Sequence, residues 1–79
     1  MNELAANERI PQSGRTYRFK VELHGGTATF YNMLSNGTPE AVKVFDGTEE
    51  AAKRRFNHEV VEGEEWYFEF TGSAKAFYR

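Results

Sequence analysis

The stretch Thr48-Glu49-Glu50-Ala51-Ala52-Lys53-Arg54-Arg55-Phe56-Asn57-His58-Glu59-Val60-Val61 decides the fold. Read as a helix, it has a start, a buried stripe and a stop. Thr48 is a good N-cap, and Glu49 and Glu50 fall in the first turn, where carboxylates complement the positive end of the helix dipole. Ala52, Phe56 and Val60 recur at i, i+4 and i+8 and make one apolar stripe. Lys53, Arg54 and Arg55 lie mostly off that stripe. Glu49 with Lys53 and Glu50 with Arg54 are i, i+4 pairs in the favourable order. Gly63 can close the helix near residues 60–61.

Strands are expected on both sides of this segment. Residues 15–24 alternate strictly, with Tyr17, Phe19, Val21 and Leu23 on one face and Arg18, Lys20, Glu22 and His24 on the other. That period of two gives one buried and one wet face. Gly25-Gly26 supplies a tight turn. Residues 27–34 form the returning strand in one of two registers. Either Ala28, Phe30 and Leu34 face inward, with Asn32 on the core side and room for a bulge, or Thr29, Tyr31 and Met33 do. A second turn is built on Asn36-Gly37, and residues 41–46 are a third strand. Residues 66–71 are a fourth, with Trp66, Phe68 and Phe70 on one face. Gly72-Ser73 turns the chain, and residues 74–79 are open to a short edge strand.

The expected fold class is therefore α+β: an antiparallel sheet of four to five strands with one helix packed on one face, in the order β-β-β-α-β with an optional final β. The expected core brings Phe19, Phe30, Val44, Phe56, Trp66, Phe68 and Phe70 together beneath the helix. Residues 1–14 read as a weakly ordered N-terminal arm broken at Pro11, and residues 15–79 as a single α+β domain.

Composition fits one small domain. The chain has 79 residues and no cysteine, so neither disulfides nor a thiolate metal site is open to it. Twelve aromatics outnumber the nine Leu, Ile and Val residues, so large rings must build the core. No apolar run approaches the ~20 residues that span a bilayer, and residues 1–11 lack the apolar region of a signal peptide. A cytoplasmic location is expected, in a host bacterial cell if the chain is phage-encoded.

Catalysis needs a reactive group beside a group that activates it. His24 and His58 stand far apart, with neither His-x-x-x-His nor His-Glu-x-x-His spacing, so no zinc site is expected. The adjacent pairs Glu49-Glu50 and Glu64-Glu65 point apart on any regular element. No catalytic residue, metal or cofactor is expected, and binding is the expected job.

Two surfaces are candidates for it. Net charge is −2, but residues 44–72 hold eight carboxylates against three cations. Glu59, Glu62, Glu64, Glu65 and Glu69 follow one another with no Lys or Arg among them, and such a run can face a basic partner and speed its association. The alternative is a basic and aromatic open sheet face of Arg18 and Lys20 beside Tyr31 and Tyr67, suited to single-stranded nucleic acid.

The strand at 17–23, the link Phe45-Asp46-Gly47-Thr48-Glu49-Glu50 into a helix ending at Phe56, and the acidic run behind it resemble the element pattern of small anti-CRISPR proteins of phages and mobile elements. The resemblance covers about residues 15–71. It implies a non-enzymatic inhibitor that binds a CRISPR-Cas effector stoichiometrically, a Cas subunit of a type I surveillance complex being the implied partner. The acidic patch would then occupy the surface that accepts DNA. On that reading the partner is a protein, no free nucleic acid or membrane is bound, and the chain is a monomer or weak homodimer. A generic protein-interaction module is the other protein-binding reading.

Overall fold

A computed structural model describes residues 1–10 and 14–79. Pro11, read above as a breaker, lies outside the described residues. The described chain forms seven strands: β1 (Asn2–Leu4), β2 (Arg15–Glu22), β3 (Thr27–Met33), β4 (Pro39–Phe45), β5 (Arg55–Val60), β6 (Glu65–Thr71) and β7 (Lys75–Tyr78). A short 3-10 turn, Ala51–Arg54, precedes β5. The strands make two antiparallel sheets, ordered β1-β7-β2-β5 and β4-β3-β6, packed against each other. The expected α+β fold with a helix on one face is corrected to an all-β sandwich.

The correction has a local cause. The Thr48 hydroxyl does not cap a helix. It donates to Asp46 Oδ1 at 2.6 Å, and the Thr48 N–H donates to the same oxygen at 3.0 Å. Such a local side-chain turn competes with helix initiation. Glu49 folds back to accept from the Asp46 N–H at 2.9 Å and from Arg54 Nε at 2.6 Å. The chain leaves this knot extended. In β5, Phe56, His58 and Val60 face inward while Arg55, Asn57 and Glu59 face out. Phe56 and Val60 are four residues apart, a spacing that suits a helical stripe and one face of a strand equally.

Four links cross between the sheets: β2 to β3, then, after β3 to β4 within one sheet, β4 to β5, β5 to β6 and β6 to β7. Thus Gly25-Gly26 does make a turn, with positive φ at His24 and Gly25, but it carries the chain to the other sheet. Gly26 lies where this turn passes the β6–β7 turn, and a Cβ there would overlap the Thr71 carbonyl.

The interior is aromatic. Phe19 from one sheet meets Phe30 and Phe68 from the other, with ring centroids 5.3 and 5.8 Å apart, and Phe56 lies 5.1 Å from Phe19. Val44, expected in this core, points outward and is 60 % exposed, and Phe45 takes the inward position. In β3 the register is the one with Ala28, Phe30 and Asn32 inward, and a bulge against β4 falls between Phe30 and Tyr31. Residues 1–10, read above within an arm, supply β1 and the buried side chains Leu4 and Ile10. The Asn7 and Ile10 N–H groups donate to the carbonyls of Phe68 and Trp66, so this segment runs along the outer edge of β6. No helix among the described residues is long and apolar enough to cross a membrane.

Candidate nucleic-acid interface

Strand alternation sets the site. Because Tyr17, Phe19 and Val21 face inward, Arg18 and Lys20 must face out. On one side, β5 places Asn57 opposite Arg18 and Arg55 opposite Lys20. On the other, β7 places Phe77 opposite Lys20. Arg18 and Arg79 exchange both backbone hydrogen bonds, at 3.1 and 3.0 Å, which puts Arg79 beside Arg18. The outer face of the first sheet therefore carries two neighbouring rows, Arg79-Arg18-Asn57 and Phe77-Lys20-Arg55. A shallow depression of about 450 Å³ lies there, lined by Arg18, Lys20, Arg55, Asn57 and Arg79.

Glu22, Glu59 and Glu3, the last opposite Phe77, also face out from this sheet, but most of its cations form no ion pair with them. Lys20 pairs with Glu22 at 2.8 Å, and Glu22 also meets His24 Nε2 at 3.1 Å. The Lys20 hydrogen bond, then that of His24, holds the Glu22 carboxyl below its usual value. Among the described residues, no carboxylate forms an ion pair with Arg18, Arg55 or Arg79. The Lys20 ammonium stands 5.8 Å from the centre of the half-buried Phe77 ring. Chemically, this is a set of positive donors around an aromatic surface, with no nucleophile and base in contact.

The expected alternative face is thus divided. Arg18 and Lys20 are on the first sheet, while Tyr31 and Tyr67 lie on the outer face of the second. There the two tyrosines are cross-strand partners, stacked with centroids 5.3 Å apart and planes 14° apart. Arg9 covers Tyr67 at 4.2 Å, leaving it buried. Burial first, then the Glu69 carboxylate, raises the Tyr31 hydroxyl above its usual value.

The five carboxylates are divided too. Glu59 faces out from the first sheet, opposite Thr16. Glu65 and Glu69 face out from the second, Glu65 paired with Arg9 at 3.3 Å. Glu62 and Glu64 lie in the β5–β6 turn. Glu64 is engaged there, accepting from the Val61 N–H at 3.2 Å and from Trp66 Nε1 at 3.3 Å.

Sequence reasoning missed Arg55, Phe77 and Arg79. The alternation Arg55, Asn57, Glu59 was available as a strand signal, and so was Lys75, Phe77, Arg79. The first also fits a helical stripe, and the second fits either of two faces. Comparison with protein-family models, with curated proteins and with solved structures gives no match.

Proposed function

We propose that the chain is a non-enzymatic binding module that holds a single-stranded nucleic acid on the outer face of its first sheet. The observation that carries this reading is the cluster of Arg18, Lys20, Arg55 and Arg79 around one depression, in a chain whose net charge is −2. Concentrating cations on one face of an acidic protein builds a local field that attracts phosphates. Phe77 flanks the depression beside Lys20, with Glu3 on its other side, and offers a ring on which an unpaired base can stack. A duplex keeps its base faces inside the helix and cannot use that ring, so the aromatic favours a single strand.

This departs from the expectation of a protein partner that excludes free nucleic acid. The acidic reading draws less support because Glu59 and Glu69 lie on opposite faces, and Glu64 and Glu65 already have partners. The helix that helped carry the anti-CRISPR resemblance is a turn and a strand, so the function is not drawn from that resemblance.

The test is fluorescence anisotropy with a labelled uridine or thymidine oligomer at low salt. The native chain should bind, and Arg18→Glu with Arg55→Glu should weaken binding by more than about tenfold. Phe77→Leu should weaken it by a further, salt-insensitive amount. Undiminished binding by the double charge reversal, in a folded protein, would rule the reading out.

A further inference from the structure

Among the described residues β4 and β5 are terminal strands, β4 paired only with β3 and β5 only with β2. They end their sheets on the same side of the sandwich. Phe45 of β4 and Phe56 of β5 stack with centroids 5.8 Å apart, and the Lys43 ammonium stands 5.0 Å from the Phe56 ring. A cleft of about 490 Å³ opens at this place. Lys43 and Val44 form one wall, Ala52, Lys53 and Arg55 the other, and Phe56 contributes apolar surface between them.

We propose that the free edge of β4 receives an extended acidic peptide as an added strand lying in this cleft. Three observations converge on that occupant. First, every residue of β4 before Phe45 is exposed, and one side of its backbone has no strand partner among the described residues. A row of edge N–H and C=O groups is matched by another polypeptide strand, and a nucleic acid cannot match it. Second, the cleft is cationic. Its one carboxylate, Glu49, is held by Arg54, whereas Lys43, Lys53 and Arg55 form no ion pair among the described residues. Third, Phe56, Val44 and Ala52 give apolar contact for alternate side chains of the added strand.

A second copy of β4 fits this edge less well. Lys43 on each copy would add like charge. The same Lys43 admits an acidic strand. This surface adjoins the row of Phe77, Lys20 and Arg55 and shares Arg55 with it.

The test uses the full chain and the peptide Ac-Glu-Val-Glu-Phe-Glu-Val-Glu-NH2, followed by backbone amide NMR at about 100 mM salt. Saturable shifts and slowed hydrogen exchange are expected at β4 amides, with loss of about tenfold or more in affinity when alternate peptide nitrogens are methylated. Lys43→Glu with Lys53→Glu should transfer the preference to the peptide in which Lys replaces Glu. Four results would each overturn the proposal: no shift at about 1 mM peptide, equal binding of the methylated peptide, shifts confined to residues 18–20 and 77, or protection of β4 by dimerisation without peptide.

Discussion

Phe30 stacks on Trp66 in the interior of the sandwich, with ring centroids 4.7 Å apart and planes inclined by 22°. Phe30 also meets Phe19, Phe56 and Phe68, at 5.3, 5.5 and 4.7 Å, and is fully buried. With the His58 ring at 5.3 Å as well, five rings surround it. Phe30→Ala removes the part they share and is expected to cost about 3–5 kcal/mol. A domain of this size has a stability near the low end of about 5–15 kcal/mol, so most of it would be lost. Urea denaturation followed by Trp66 fluorescence measures the effect, with Phe30→Leu as a milder control. An unchanged midpoint in the Ala variant would show that this cluster does not hold the sheets together.

Gly26 predicts a different kind of damage. Its constraint is space rather than φ, since a Cβ there would overlap the Thr71 carbonyl and crowd the Ala74 nitrogen. Both are backbone atoms and cannot swing aside. Thr27 and Thr71 tie the same corner through a 2.8 Å hydroxyl contact. Gly26→Ala is expected to destabilise by at least about 1–3 kcal/mol, as overpacking does. A melting temperature equal to the native one would mean that the two turns can separate freely.

His58 gives the fold a pH dependence of definite sign. Burial holds its imidazolium below the usual value of 6.5, and nearby Lys43 adds to this, while Glu64 and Glu59 oppose it. Its ring lies 4.1 Å from Trp66 and 5.3 Å from Phe30, and its Nε2 is buried without a hydrogen-bond partner. On acidification the unfolded chain takes up this proton before the folded one does. Stability from a neutral His58 is therefore present above pH 6.5 and is lost as pH falls from there toward the lower folded value. Glu22, Asp46 and Glu49 are also lowered, but from usual values of 4.5, 3.8 and 4.5, so their contributions are lost at more acid pH. Denaturation midpoints between about pH 7 and 5 should fall for the native chain and fall less for His58→Phe. Parallel curves for the two proteins would remove His58 as the cause.

The strand at 15–22 was legible because strict alternation admits only one period, and that at 66–71 because Trp66, Phe68 and Phe70 share one face, although Tyr67 between them is buried as well. The helix reading failed at Phe56 and Val60, whose separation of four satisfies both periods. His58 between them distinguishes the two, since an inward His58 needs a strand, but a histidine carries no strong apolar signal. The Thr48 and Glu49 cap signals were real chemistry put to another use, holding the turn into β5 through Asp46 and Arg54. Once that segment was misread, the site could be read only in part. Arg18 and Lys20 come from an alternating strand and were found. Arg55 joins them only through pairing of β5 with β2, and Phe77 and Arg79 only through β7. Sheet pairing between distant segments leaves no periodic mark in one sequence.

The basic face also predicts how binding responds to salt. Arg18, Arg55 and Arg79 lack intramolecular ion pairs among the described residues, so each can neutralise a phosphate and release a counterion. Lys20 is shared with Glu22 and should contribute less. Single strands give a slope of about −0.7 per phosphate in log affinity against log salt, so about three contacts predict a slope near −2. Arg18→Gln should make that slope shallower by about 0.7 and weaken binding at low salt. Glu22→Gln should have the opposite effect on affinity, because it frees Lys20. Reversing Glu62, Glu64 and Glu65 to Lys tests the acidic alternative, but Glu64 and Glu65 also hold Trp66 and Arg9. Melting must therefore be measured alongside binding. A folded Arg18→Gln variant with the native slope would show that phosphates do not reach this face, whatever the oligomer's affinity.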